Sequence, residues 1–463
     1  MDRARVREKL YSRLGWLSYD IPWLEESGVD EFHRDRDALY QSLIDNSAIA
    51  LDSLKPRYGP LSPGCEACRA GTWSCLFINN RCNANCFWCL RDQRIRRDPP
   101  PSAHGLEFYT PELYSAFLKR SGYNAVGLSG GEPLLAFRSL IEYVRTLRQE
   151  LGPDAWLWIY TNGILASSEK ADALTDAGLN EIRVDIAANG YNLSALEKFA
   201  GHIPLLSVEI PCLPEDEERL KRLLPELQRM GVSHLNLHQL TANPDNISGY
   251  LGRGYTFLHH PELTVLESEM TALRLVRHAA EMKLEMGVQV CSKPYKRWAQ
   301  GSSRRFRALQ FTGFTKSISH VTRTGFLREL IVRPPEGSVG EVGTLLRNSG
   351  YAETEWERIG ESERFRISPA ILQTAIPARI RLSINYYEPR VVSTGSGRVS
   401  GEKGISDGWS MQYQPAGDVF DLNREEIQWL RDCAVDRHGI EADRPIPERL
   451  APWESPAASD DVF

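Results

Sequence analysis

Six of the nine cysteines in this 463-residue chain lie between positions 65 and 89. Cys82, Cys86 and Cys89 form a C-x3-C-x2-C loop directly after a short apolar run at 73–78. Three thiolates can hold three irons of a cubane 4Fe–4S cluster and leave the fourth iron open to an added chelator. The same three thiolates, with one further ligand, could instead close around structural zinc. The loop alone does not choose between them. A second segment, Ser129-Gly130-Gly131-Glu132-Pro133, follows 40 residues after Cys89. Glycines lack Cβ and let a ligand approach the backbone, and a carboxylate beside them can hold an ammonium group. Taken by itself, the segment also reads as a plain Gly-Pro turn.

These residues need elements to position them. The apolar run at 73–78 is followed by strand-like runs at 124–128, 156–160, 181–186, 205–210, 234–240 and 288–291. Helical segments separate them, at 110–120, 136–150, 167–177, 192–200, 214–230 and 261–286. Thr110-Pro111 can cap and open one helix and Gly122 can close it. Leu220, Leu223, Leu224 and Leu227 recur at helical spacing, with Pro225 as a potential kink. Alternating strands and helices predict a parallel sheet with right-handed crossovers. The fold class expected is α/β, a partial or complete (β/α) barrel, with chemistry at the C-terminal strand ends.

Around that core, residues 1–60 read as a helical extension, with Gly59-Pro60 and Pro63-Gly64 as breakers, and 61–308 as the barrel. Residues 309–400 read as a small α+β domain, with β-rich segments at 325–333, 364–368 and 379–388 and a helix at 339–349. Residues 401–463 read as a helix (424–437) and a Pro/Ser/Asp tail expected to be disordered.

Composition narrows the function classes. Hydrophobic residues make up 42% and charged residues 25%, the balance of a globular protein in water. The net charge of −6 argues against a generic nucleic-acid binder. No run approaches the roughly 18 apolar residues of a membrane span. The first 16 residues carry charges throughout, unlike a secretory signal. A cytoplasmic location without membrane contact is expected. A disulfide framework does not suit such a chain, so dense local cysteines point to metal.

Taken together, the cysteine loop after the first barrel strand, Trp88 just before Cys89, and Gly130-Gly131-Glu132 after the second strand resemble the radical SAM superfamily over about residues 70–295. The resemblance implies a 4Fe–4S cluster on Cys82, Cys86 and Cys89, with S-adenosylmethionine chelating the open iron. It implies that Glu132 and the backbone of Gly130 and Gly131 contact the cofactor's amino group. The reduced cluster would cleave the C5′–S bond and give a 5′-deoxyadenosyl radical that removes hydrogen from substrate. A reducing partner such as flavodoxin or ferredoxin would supply the electron. Further cofactor contacts are expected at Thr161 and Asn162 after the third strand and at Arg183 and Asp185 on the fourth. The last two alternate to one face and read equally as an ion pair lining the barrel. Glu209, His238 and Gln239 on later strands are weaker candidates.

Cys65-Glu-Ala-Cys68 lies upstream of the loop, followed by Cys75. With Cys75 or Cys291 it could form an auxiliary iron or iron–sulfur site; otherwise these are free thiols and a turn. This CxxC, with Cys291-Ser292 and Tyr295-Lys296, resembles an uncharacterised radical SAM group related to pyruvate formate-lyase activating enzymes. Cys433 is the only cysteine beyond Cys291, unlike peptide maturases with a cysteine-rich C-terminal extension. Lys293, Lys296, Arg297, Arg304, Arg305 and Arg307, with Tyr295, Trp298 and Phe306 interleaved, read either as a contact for a phosphate-bearing substrate or as a solvated linker. The leading expectation is an enzyme acting on a small or medium organic substrate, in specialised metabolism. Modification of a macromolecule, whether a protein side chain, a glycyl-radical enzyme or RNA, is the alternative. A non-catalytic zinc scaffold is the remote one.

Overall fold

The computed structural model describes residues 20–46, 49–52, 55–91, 99–258, 263–311, 320–335, 339–348, 355–359, 364–373, 380–393, 409–417, 419–435, 446–447 and 449–454. Two units emerge, one ending at Gln300 and one spanning Gly301–Asp460.

In the first unit, an antiparallel hairpin of β1 (Ile49–Asp52) and β2 (Lys55–Tyr58) precedes β3 (Trp73–Phe77), and β4 (Ser102–Ala103) and β5 (Leu106–Glu107) follow. Then come β6 (Ala125–Ser129), β7 (Trp156–Thr161), β8 (Glu181–Val184), β9 (Leu205–Pro211) and β10 (Val232–His238). After three short strands, β11 (Thr241–Ala242), β12 (Phe257–Leu258) and β13 (Leu263–Val265), β14 (Gly287–Cys291) completes the set. The main sheet runs β1-β2-β14-β10-β9-β8-β7-β6-β3-β4-β5. Its seven central strands, β14 through β3, are parallel neighbours throughout. β3 and β14 do not pair with each other, so the barrel is partial.

The parallel strands are buried on both faces, as crossover helices require. Leu76, Val126, Leu157, Ile159, Ile182, Val184, Val208, Leu235 and Val288 are wholly inaccessible. The helices start and stop where their caps direct. Thr110 accepts from Leu113 N, Pro111 opens the helix, and Gly122 closes it at φ 71°. Leu140, Tyr143, Val144 and Leu147 turn one face of the helix Phe137–Leu151 onto the core. The helix Glu217–Arg229 runs through Pro225.

Several expectations are corrected. Residues 49–52 and 55–58 are not helical: they form β1 and β2, and β2 pairs antiparallel with β14 and extends the barrel sheet. Pro63-Gly64 opens a helix, Pro63–Ala70, capped by the Ser62 side chain. The helix expected at 261–286 is Leu266–Glu281, preceded by β13. The unit boundary falls at 300/301, upstream of 308/309. The helix Gly301–Phe311 belongs to the second unit, where Arg304 pairs with Glu388 at 3.1 Å. Residues 1–19, 261–262, 436–437 and the tail from 455 lie outside the described residues.

The second unit is an antiparallel sheet built on Leu327–Arg333, Phe365–Ile367 and Arg381–Ser393, with the helix Val339–Asn348 in the expected place. A strand at Trp409–Pro415 was not anticipated. The helix Arg424–Val435 is not a separate appendage, because Trp429 and Leu430 enter this sheet's core beside Ile384 and Tyr386.

Candidate active site

The cysteine loop leaves the C-terminal end of β3 and lies on the turn after β6. Gly131 N donates to Asn79 O at 3.0 Å and Glu132 N to Arg81 O at 2.7 Å. Asn79 Nδ2 donates to Glu132 O at 2.9 Å. Backbone therefore meets backbone, and only glycine permits it. A Cβ on Gly130 would stand 2.3 Å from Asn79 O, and one on Gly131 would stand 1.9 Å from Arg81 O. Gly130 also holds φ 134°, a conformation closed to most side chains. The two glycines seat the loop.

Glu132 turns inward and is fully buried. Its Oε1 accepts from Thr161 Oγ1 and Leu134 N, each at 2.9 Å, and its Oε2 from Asn162 N at 2.8 Å. Burial raises its pKa against those three hydrogen bonds. The carboxylate thus ties the end of β6 to the end of β7. It also aims Asn162, whose Nδ2 lies 2.7 Å from Asn83 Oδ1 and 3.7 Å from Cys82 Sγ.

The far side of the loop is anchored by a segment that carries no sequence motif. Asn243 Nδ2 donates to Leu90 O at 2.9 Å and Asn246 Nδ2 to Trp88 O at 3.2 Å. Tyr250 meets the Phe87 ring edge-on at 5.4 Å, and the Arg253 guanidinium covers that ring at 3.6 Å. Asparagines at 243 and 246 are the sole sequence signal, and they read as turn formers.

Cys82, Cys86 and Cys89 are half-buried, none packed into the core. Burial pushes the Cys86 thiol up to about 12, and the charges of Asp185, Cys89 and Cys82 add to this. A bound cation centre would reverse that balance. Ala84 N points at Cys82 Sγ at 3.4 Å, the kind of donor an anionic iron–sulfur cluster accepts. Among the described residues no three of His, Cys, Asp or Glu are drawn together tightly enough to hold a metal ion. The fit to a cluster lies in the donor set: three thiols on one loop, near enough to perturb one another.

Residues 76–202, which include this loop, match the model of the Radical SAM superfamily. This chain is a radical SAM enzyme. The matched residues run from β3 past β8 and include the cysteine loop, the glycine turn and Thr161–Asn162. A Methanocaldococcus jannaschii protein named "Putative glycyl-radical enzyme activating enzyme" is 24% identical over 334 residues, 70% of this chain and 86% of that one. A "Probable GTP 3',8-cyclase" of the same organism is 33% identical over 114 residues, and the chain spans about a third (35%) of its length. Among solved structures, Streptococcus suis SuiB bound to its precursor peptide SuiA gives a TM-score of 0.35 at 10% identity, covering 48% of each chain. Methylornithine synthase (PylB) gives 0.35 at 12% identity, covering 60% of this chain and 76% of its own.

The remaining candidates of this radical SAM enzyme fall into two groups. Arg183 is buried against Glu181 Oε1 and Glu209 Oε2, both at 2.9 Å, with Ser62 Oγ at 3.0 Å. Its guanidinium also lies over the Trp158 ring at 4.7 Å. Asp185 Oδ1 accepts from Ala187 N and Ala188 N, and burial lifts its carboxyl to about 7. Gln239 Oε1 accepts from Lys293 N at 2.9 Å.

Cys65, Cys68 and Cys291 gather around the buried Lys55 ammonium, whose pKa their charges raise against the opposing effect of burial. The charged neighbours of Cys75 are instead Glu209 and Arg183, and burial pushes its thiol to about 12. Burial also opposes ionisation of Cys291, but Lys55, a hydrogen bond from His238 and Lys296 bring its thiol down to about 6. Of the basic stretch, Lys296 contacts His238. Arg305 is buried, donating to Thr324 O at 2.7 Å and covering Phe326 at 4.0 Å. These two cations are built into the fold.

Proposed function

We propose that this radical SAM enzyme acts on a small or medium polar organic substrate, bound over the C-terminal ends of β8, β9 and β10. The observation that supports this reading is the lining there: Asp185, Glu209, His238 and Lys296 are ionisable, lie close together and keep partial access to solvent. Cys82, Cys86 and Cys89 would hold a 4Fe–4S cluster, which would supply the electron for reductive cleavage of S-adenosylmethionine and so the radical chemistry that removes hydrogen from the substrate. Gly130 and Gly131 give the loop its seat and their backbone the contact to the cofactor's amino end. Glu132 acts from beneath by fixing Thr161 and Asn162, so that Asn162 faces the loop at Cys82. Arg183 and Asp185 set the charge of the wall beyond. A flavodoxin- or ferredoxin-type donor is the reductant expected.

A second reading, activation of a glycyl-radical enzyme, is favoured by the Methanocaldococcus relative, which aligns over 86% of its own length. One experiment tests the shared chemistry. Anaerobically reconstituted protein with dithionite and S-adenosylmethionine yields 5′-deoxyadenosine, and the triple variant Cys82→Ala, Cys86→Ala, Cys89→Ala yields none. Equal yields from both would refute the assignment. Deuterium transfer from candidate substrates into 5′-deoxyadenosine then separates a small molecule from a protein glycine.

A further inference from the structure

Asn162 is the first residue past β7, where the chain turns toward the helix Ser168–Asp176. Gly163 permits the turn: its φ is 73°, and a Cβ there would stand 2.6 Å from the Ala195 Cβ. The turn brings Ile164 N to Asn162 Oδ1 at 3.0 Å, the local bond by which asparagine closes a turn on its own backbone. That bond also decides which end of the amide is oxygen. The nitrogen must then face the cysteine loop, where Nδ2 donates to Asn83 Oδ1 at 2.7 Å. An amide nitrogen carries two hydrogens, and the second has Cys82 Sγ at 3.7 Å.

The backbone of Asn162 is held as firmly as its side chain. Its N–H donates to Glu132 Oε2 at 2.8 Å, and its carbonyl accepts from Asn189 Nδ2 at 3.2 Å. The residue is only 7% exposed, so solvent has little access to take over the amide's place. Cys82 Sγ therefore meets donors from two directions: Ala84 N on its own loop at 3.4 Å, and Asn162 at the end of another strand. A cysteine sulfur ligating an iron–sulfur cluster gains negative charge when the cluster is reduced, so a hydrogen bond to it favours the reduced state.

We propose that Asn162 acts through the Cys82 thiolate to make a 4Fe–4S cluster on this loop easier to reduce. The inference rests on the assignment of Cys82, Cys86 and Cys89 to that cluster. Asn162 is on this account a positioning residue, since it touches a ligand and not the reacting atoms. Thr161 and Asn162 thereby divide the work: Thr161 holds the Glu132 carboxylate from within, and Asn162 carries that hold outward to sulfur.

The test is the midpoint potential of the cluster in anaerobically reconstituted full-length protein, followed by electron paramagnetic resonance of the reduced form. Asn162→Asp keeps the shape and the bond from Ile164 N but replaces both N–H donors with an acceptor oxygen. It should disfavour reduction about tenfold or more, which is a midpoint about 59 mV or more lower for one electron. Asn162→Ala adds no charge and should disfavour reduction about threefold or more. Asn83→Ala removes the tie between loop and strand but spares the N–H aimed at Cys82, and should hold its potential. Three results would overturn the proposal. One is an unchanged potential in both Asn162 variants at about four irons per chain. Another is a shift in Asn83→Ala as large as that in Asn162→Ala. The third is loss of iron from both Asn162 variants, which would make the residue a structural clamp. Wild-type protein that takes up no 4Fe–4S cluster would instead refute the underlying assignment of the three cysteines.

Discussion

Substituting Gly131 by alanine tests the seat of the cysteine loop with one methyl group. The new Cβ would lie 1.9 Å from Arg81 O, 2.4 Å from Arg81 C and 2.8 Å from Asn80 C. Van der Waals contact requires roughly 1.5 Å of retreat, and all three neighbours are backbone, so no rotamer change relieves it. The bonds Gly131 N to Asn79 O and Glu132 N to Arg81 O lie in the path of that movement. Two lost hydrogen bonds at about 1 kcal/mol each and about 1–3 kcal/mol of overpacking give a cost of about 3–5 kcal/mol to the first unit. Arg81 directly precedes Cys82, so the displacement passes into the ligand loop. The variant should lose most of its iron after anaerobic reconstitution and unfold at lower urea. Gly340→Ala is the control: nothing lies within 4 Å of its Cβ, and it should be neutral or gain a few tenths of a kcal/mol. A Gly131→Ala protein with wild-type iron and stability within about 0.5 kcal/mol of wild type would refute the packing argument.

Two further substitutions probe the buried charges. Arg183→Met strands Glu181 and Glu209 without their cation and should cost about 3–5 kcal/mol; a soluble, equally stable variant with only a weakened S-adenosylmethionine affinity would return Arg183 to the role of a cofactor contact. Glu217 ties its helix to Arg274 and also pairs with Lys221 one turn on in the same helix, and against the opposing effect of burial these cations hold its carboxyl down to about 2. A carboxyl depressed on folding stabilises above its unfolded pKa and loses that contribution as pH falls through the folded value. Stability should therefore decline between about pH 4.5 and pH 2, and Arg274→Gln should flatten that decline in urea titrations; an unchanged slope would show that the pair contributes nothing.

The sequence made the cysteine loop, the glycine turn and the order of the seven parallel strands legible because each carries a local signal. Alternation of apolar runs with capped helices requires no distant partner. The hairpin at 49–58 was missed because Lys55-Pro56-Arg57-Tyr58 shows no apolar alternation and contains a proline, which argues against a strand inside a sheet. The inward turn of Glu132 was hidden for another reason: its partners Thr161 and Asn162 lie about thirty positions away in another strand end. The same holds for Arg183, whose choice between cofactor and ion pair depends on Glu181 and Glu209 lying within reach. Asn243, Asn246 and Arg253 support the loop through backbone oxygens and a ring face, contacts that impose no motif on the chain. His238 was legible only as a candidate, since its meaning comes from the strands on either side of it.

The seat of the loop also has an order in time. Everything that holds it on the glycine side, from Trp73 through Asn162, comes from the ends of three neighbouring strands of the sheet, β3, β6 and β7. The cysteine on β14 is not made until residue 291. At about 5–20 residues per second, the ribosome takes roughly 6–26 s to travel from one to the other. During that interval the nascent chain already carries the complete set of ligand thiols and their glycine seat, while β14, through which β1 and β2 join the sheet, has not yet been made. Iron delivery and closure of the substrate wall are thereby separable events in the birth of this protein.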